Sequence, residues 1–405
     1  MGNLFMPPGS ESPNTLDIDT NIPLPEELVK RAKALIPNLR SRTEHCEEER
    51  RIPQENLDEM LAAGLFNTMK PKRYGGYEMG WETLCDLTLA IAEGCGSTGW
   101  IMGVCGGHPL MITNFDFDVQ DEVWGANPNT IISSAKMNSG AFKKTVGGYI
   151  GNGIMAISSG CHHADWFFAG GSDIEGSDRL LSTLIPLTDV TILDTWQVVG
   201  LAGTGSHDLE MKDVFVPDSR AFIGGERPPG TGLYDYGVYK VGHHALGPYT
   251  LASAVVGMAV GALDIFVADI KDKTSRHGAK IADFQSLQLR IAESAAELDA
   301  AKLLIRQNTR EAMRFIGEGK PVPRDPHARL ILEGSYASQL AGKAIERIFY
   351  AGGAGELFLD RHLQRIFRNV QAGRAQFGLN WDVQGTNYGR WALGLEGEKE
   401  TTLLL

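Results

Sequence analysis

The 405-residue sequence predicts a mainly α protein with a β domain set into its middle. Apolar residues recur at helical spacing through the first third, the period shortens to that of strands near residue 130, and long helical segments return from Pro248 onward. The expected division is a flexible arm over 1–21, a helical domain over 22–128, a β domain over 129–225, and a four-helix bundle with its tail over 240–405.

The opening "MGNLFMPPGSESPNTLDIDTN" has no cationic start and no continuous apolar run, so it reads as an arm and not as a signal peptide. In "LPEELVKRAKALIPNLRSR" one helical face holds Leu28, Ala32, Leu35 and Leu39, with Pro25 suited to a first turn and Glu26 and Glu27 near the positive end of the helix dipole. A second helix runs from Pro53 in "PQENLDEMLAAG" and stops at Gly64. After the glycine-rich "PKRYGGYEMG", the stretch "WETLCDLTLAIAEGCGSTGWIMGVCGGHPLM" is helical on either side of a Gly-Ser-Thr break.

Strands are expected in "TIISSA", "KTVGGYIGNGIMAISS", "ADWFFAGG", "RLLSTLIPL" and "DLEMKDVFVP", which are short, rich in β-branched or aromatic residues, and bounded by Gly, Asp or Pro. Leu209 and Met211 alternate with polar neighbours, as in a sheet with one wet face. The bundle is expected from periodic segments near 248–272, 281–316, 327–351 and 360–377.

A formal net charge of −12 argues against an extensive nucleic-acid surface, which leaves small molecules and protein subunits as partners. The five cysteines form no CxxC pair, so neither a zinc site nor a disulfide framework is indicated, and reduced thiols in the cytoplasm are the simplest reading. Residues 250–268 carry Asp264 as their only charge and are long enough to cross a bilayer. Their Ala and Gly content and the charged helices that follow favour a buried core helix over a membrane span. No GxGxxG follows a strand, so no nicotinamide-binding fingerprint is present.

Several motifs resemble the acyl-CoA dehydrogenase superfamily. "LAGTGSHDLEMKDVFVP" resembles its glycine-Thr-Gly-Ser turn and following strand, and "RHGAKIADFQSLQLRIAE" its Arg-x-x-Gly-x-x-Ile-x-x-Phe-Gln helix start. "VGGYIGNGIMAISSGCHHADWFFAGG" and "STGWIMGVCGGHP" resemble, more narrowly, the oxygenase components of two-component flavin-dependent monooxygenases. The resemblance runs from about residue 24 to 390. It implies an N-terminal helical domain, a middle β-sandwich or barrel, and a C-terminal four-helix bundle.

The function so implied is hydroxylation of a phenolic or indolic small molecule with O2 and reduced FMN or FAD by way of a flavin C4a-hydroperoxide. A separate reductase would deliver the flavin, and the protein would be a homotetramer, with a dimer as the alternative. On the same resemblance, His108 reaches the substrate as a base and Ser159 faces the flavin N5 edge, donating near N5 or the bound oxygen. Trp100, Met155, Ser158, Thr204 and Ser206 are flavin contacts; Arg276 meets the flavin phosphates across a subunit interface with Gln285 as its neighbour. Read from the residues alone, His108 is also explained as a helix-end hydrogen-bonding residue before Pro109, and Arg276 as a solvated arginine at a helix start.

Where acyl-CoA dehydrogenases carry their proton-abstracting glutamate this chain has Phe377, which cannot accept a proton, so oxygenation ranks above acyl-CoA oxidation. Gln376 stands where many of the monooxygenases have a histidine, and Met155 where they have a tryptophan. Two other functions remain open at this level: a dehydrogenase or oxidase of acyl thioesters, and a catalytically inactive flavin-binding or scaffold relative, which the loss of the histidine permits. His162 and His163 lie beside Asp165 without a third ligand at metal-like spacing and read as a structural pair, and no metal is expected.

Overall fold

The computed structural model describes residues 22–234, 236–240, 243–275, 277–318, 320 and 324–395; the expected arm over 1–21 lies outside them. The N-terminal helices are Pro25–Ala34 (α1), Ile36–Ser41 (α2), Thr43–Glu48 (α3), Gln54–Ala62 (α4), Trp81–Gly94 (α5), Gly96–Cys105 (α6), Pro109–Ile112 (α7) and Phe117–Trp124 (α8). The single first helix of the sequence reading is broken into α1 and α2, and α3 follows beyond its expected end. Pro37 has no amide hydrogen to donate back into the preceding turn, so the chain restarts at Ile36 with Pro37 in the new first turn. The Gly-Ser-Thr break contracts to one extended residue, Cys95, which caps α6.

Seven strands form one sheet: Ile132–Thr145 (β1), Gly148–Ser158 (β2), Trp166–Asp173 (β3), Leu180–Pro186 (β4), Thr191–Leu193 (β5), His207–Pro217 (β6) and Ala221–Ile223 (β7). Their order is β5-β6-β2-β1-β3-β4-β7, with β1 and β3 parallel and every other pair antiparallel. The sheet curls until β4 approaches β6, enclosing Phe142, Met155, Phe167, Leu181, Leu209 and Met211. β1 runs ten residues beyond the expected "TIISSA": its polar second half pairs with β2 from Lys136↔Ala156 to Thr145↔Gly148 and is largely exposed apart from the buried Phe142, so it shows no apolar alternation.

The C-terminal helices are His243–Lys271 (α9), Gln285–Gly317 (α10), Arg324–Gly352 (α11) and His362–Arg374 (α12), close to the expected bundle. A fifth, Trp381–Ala392 (α13), was not expected, because Gly385, Gly389, Thr386 and Asn387 are poor helix formers. It forms against α11, and its start is marked by Asn380, whose Oδ1 accepts the Val383 amide at 3.2 Å.

α9 is the axle of the molecule. Its stretch Leu246–Lys271 is long and apolar enough to cross a membrane, but here it is packed by α5, α6, α10, α11 and α12, with Tyr249, Val255, Val256, Met258 and Ala259 at most 1% exposed. One apolar core therefore joins the N-terminal helices to the bundle, while Phe115, Val123 and Trp124 pack with Ile132 and Phe168 to fasten those helices to the sheet.

The α5–α9 contact is close enough to require glycine. A Cβ built on Gly257 would lie 2.3 Å from the Leu89 carbonyl oxygen, and one on Gly261 2.3 Å from that of Glu93. Gly257→Val is expected to push the two helices apart and cost about 1–3 kcal/mol, read as a lower thermal midpoint; an unchanged midpoint would show that the contact is loose.

Candidate functional site

A cavity of about 420 Å³ lies where α6, the sheet and the bundle meet. That volume is within the range of small-molecule sites. α6 contributes Trp100, Gly103 and Val104, followed by His108 from the turn after it; the sheet contributes Ser134, Ile157 and Ser159. α9 adds Pro248, Thr250 and Leu251, the segment leading into α13 adds Gln376 and Phe377, and α13 itself adds Gln384.

His108 is 1% exposed, and its two ring nitrogens are differentiated by their partners. Nδ1 lies 2.6 Å from the Ile132 carbonyl oxygen, which can only accept, so Nδ1 carries the hydrogen. Nε2 is left with a lone pair, and Ser134 Oγ, 3.0 Å away, donates to it. Burial holds this imidazole neutral, lowering its pKa to about 4, with the Ile132 carbonyl opposing the shift. Having spent its hydrogen on His108, Ser134 offers lone pairs to whatever enters the cavity.

The same reasoning orders a chain of hydroxyls behind Ser159. Thr204 Oγ1 donates to the Leu201 carbonyl oxygen at 2.8 Å, so its contact with Ser206 Oγ at 2.7 Å must run from Ser206 to Thr204. The Ser206 hydrogen is thereby used, and Ser159 Oγ, 2.8 Å away, donates to Ser206. Ser159 is left as an acceptor. This differs from the donor expected from the sequence, and the physical reason is that the chain is anchored at a carbonyl that cannot donate.

Ile157 has φ +60°, a conformation that costs a β-branched residue about 1–3 kcal/mol. It sits in a register shift between Met155 and Ser158, held by its amide donating to Asp208 Oδ1 at 3.0 Å, and is 60% exposed. The bulge turns the strand end so that Ile157 and Ser159 line the cavity.

The structure thus brings His108, Ser159, Gln376 and Trp100 to one cavity, with Ser206 and Thr204 buried behind Ser159. Met155 is not brought there: it is fully buried among Phe142, Phe167 and Leu209 inside the curled sheet. Ser158 is also buried away from the cavity, and its Oγ has no hydrogen-bond partner among the described residues. Gln285 begins α10, exposed and outside the cavity lining, and Arg276 lies outside the described residues. Gln376 Oε1 accepts the Gly378 amide at 2.7 Å, which leaves its amide hydrogens as donors.

His162 packs edge-on against His207, ring centres 4.9 Å apart, and His163 Nε2 lies 2.9 Å from the Ile52 carbonyl oxygen. Sequence reasoning missed Ser134, Ile157 and Gln384. The paired serines in "TIISSA" were a signal for the first; a positive φ at isoleucine and a helix made of poor formers left none for the others.

The N-terminal domain of the acyl-CoA dehydrogenases matches residues 26–116 and the C-terminal domain of the same family residues 249–381. The chain is 35% identical to the flavin-dependent monooxygenase oxygenase subunit HsaA of Mycobacterium tuberculosis (strain H37Rv) over 372 residues, covering 89% of this chain and 94% of that protein. It is 30% identical to the oxygenase component of the FADH2-dependent resorcinol hydroxylase of a Rhizobium species, covering 91% and 94%. Among solved structures, the M. tuberculosis HsaA monooxygenase superposes with a TM-score of 0.85 at 33% identity, covering 92% of this chain and 99% of that one. XiaF from a Streptomyces species, in complex with FADH2 and glycerol, superposes with a TM-score of 0.85 at 25% identity, covering 92% and 96%.

The neutral state of His108 has a measurable consequence. Between pH 6.5 and about 4 the unfolded chain binds a proton at this position that the folded protein does not, so stability falls as pH is lowered through that window. His162, His163, His207 and His362, also lowered by burial, act in the same direction. The thermal midpoint is expected to drop on acidification, less steeply in His108→Gln than in the parent; equal slopes would place the His108 pKa near its ordinary value.

Proposed function

Because the chain belongs to the acyl-CoA dehydrogenase superfamily, among the oxygenase components of flavin-dependent monooxygenases, we propose that it inserts one oxygen atom from O2 into a small phenolic or indolic substrate, using reduced FMN or FAD delivered by a separate reductase. The observation that carries this reading is the pair of acceptors in one cavity, Ser159 Oγ at the end of its hydroxyl chain and Ser134 Oγ backed by His108.

The residues fit a reduced flavin. A reduced isoalloxazine carries a hydrogen on N5 and an oxidised one does not, so a hydroxyl fixed as an acceptor suits the reduced form. Ser159 would take that hydrogen bond, Trp100 would bound the ring, and Thr204 and Ser206 would hold Ser159 in place. When bound, the reduced flavin activates O2 and supplies the oxygen atom. The chain contributes orientation, a dry wall from Val104, Leu251 and Ile331, and control of one proton.

That proton is the substrate's. A phenol O–H can donate to Ser134 Oγ while Ser134 donates to His108 Nε2, so charge developing on the phenol oxygen is matched by proton movement toward the imidazole. At a pKa near 4 His108 does not hold a proton beforehand, and a phenolate forming beside it raises its affinity for one. Gln376 would donate an amide hydrogen to the substrate. Among the described residues no carboxylate lines the cavity, and Phe377 occupies it instead, which disfavours removal of an α-proton from an acyl thioester.

In this reading Arg276 and Gln285 meet the flavin phosphates across the interface of a homotetramer. The five free thiols suit the cytoplasm.

With reduced flavin and a series of phenols and indoles under ¹⁸O2, one labelled oxygen is expected in the product. His108→Ala should slow hydroxylation by ~10²–10⁴-fold, the usual worth of a positioned acid–base group. Ser159→Ala should still bind reduced flavin but yield less product and more hydrogen peroxide per O2 consumed. An unchanged product-to-O2 ratio would remove Ser159 from this role, and bleaching of oxidised flavin by an acyl thioester would overturn the oxygenase reading.

A further inference from the structure

Apart from that cavity, two cysteines separated by 49 positions meet in the fold. Cys46 on α3 and Cys95, the residue that caps α6, have Sγ atoms 3.9 Å apart. They are 1% and 3% exposed. A disulfide needs an S–S distance of about 2.05 Å, so closure asks for roughly 2 Å of sulfur travel.

The two thiols are unequal. Cys95 Sγ faces the first amides of α6; the contact with Cys46 and hydrogen bonds from Thr98 and Ser97 favour its thiolate against the effect of burial, while the same contact and burial push Cys46 the other way. A cavity of about 20 Å³ is lined by Cys46 and Cys95 together with Arg40, Glu47 and the exposed His362. It has room for one water-sized molecule. The pair also lies under the hydroxyl chain: a Cβ built on Gly203 would be 2.2 Å from Cys46 Sγ, and Gly203 is followed by Thr204, the anchor of that chain.

We propose that Cys46 and Cys95 form a peroxide-oxidisable dithiol, a modification site that takes hydrogen peroxide as its oxidant. The Cys95 thiolate attacks one peroxide oxygen; the O–O bond breaks, the leaving hydroxide takes up a proton to become water, and Cys95 becomes a sulfenic acid. The Cys46 sulfur then attacks Cys95 Sγ; the S–O bond breaks, and the hydroxyl leaves as water with the Cys46 proton. One peroxide is reduced to two waters and two thiols are oxidised to one disulfide. Hydrogen peroxide is the product whenever reduced flavin meets O2 without an acceptor, so under the function proposed above the oxidant arises beside its target, although the dithiol reacts with peroxide from any source.

The test exposes the full-length protein, reduced and freed of reductant, to a small excess of hydrogen peroxide, then denatures and alkylates it. Untreated protein should alkylate at all five cysteines. Treated protein should lose two alkylation sites and two hydrogens in mass, yield a non-reduced digest in which the peptides of Cys46 and Cys95 are joined, and recover fully with dithiothreitol. Cys46→Ser should give no joined peptide and a dimedone adduct on Cys95. Retention of all five alkylation sites in the parent protein, or a loss that falls on Cys85, Cys105 or Cys161, would overturn the proposal whether or not the variant folds.

Discussion

The direction of one short hydrogen-bond chain decides what the cavity can recognise. The Leu201 carbonyl can only accept, and that forces Thr204, Ser206 and Ser159 to donate in sequence, leaving lone pairs at the cavity end. A second chain behaves alike: the Ile132 carbonyl takes the Nδ1 hydrogen of His108, whose Nε2 takes that of Ser134. Two backbone carbonyls outside the cavity thus set two acceptors inside it. His108, Ser159, Ser206 and Thr204 are buried, where a reversed or missing partner costs most.

Holding these chains against each other falls to the helical core. α6 carries Trp100 and leads into His108, α9 carries Thr250 and Leu251, and both pack on α5 in the core shared by the two helical regions. The sheet reaches the same cavity through a strained bulge at Ile157, the local cost of turning the strand end toward the bundle. Such strain persists because Asp208 and the β2–β6 pairing over-determine it.

Much of this was legible in the sequence. Helical period, strand runs and turn residues located most of the long elements but not the short α3, α8, β5 and β7, and the family resemblance picked out His108 and Ser159, which the structure does place in one cavity. What escaped was set by tertiary context. α13 is stabilised by packing and by the Asn380 cap against its own weak propensity, so Gln384 was invisible. The polar half of β1 is a strand because β2 pairs with it and not because it alternates. Ser159 was rightly singled out, but its hydrogen-bonding sense depends on Leu201, 42 positions downstream, and no spacing rule conveys that.

The most direct test compares affinity for reduced and oxidised flavin, by anaerobic and aerobic titration, in the parent protein and in Thr204→Val. Valine cannot accept from Ser206, which frees the chain to reverse and lets Ser159 donate. The parent should prefer reduced flavin, and the variant should lose about 3–10-fold of that preference, the worth of one neutral hydrogen bond. A preference that survives Thr204→Val unchanged would contradict an acceptor at Ser159 fixed by the Leu201 carbonyl.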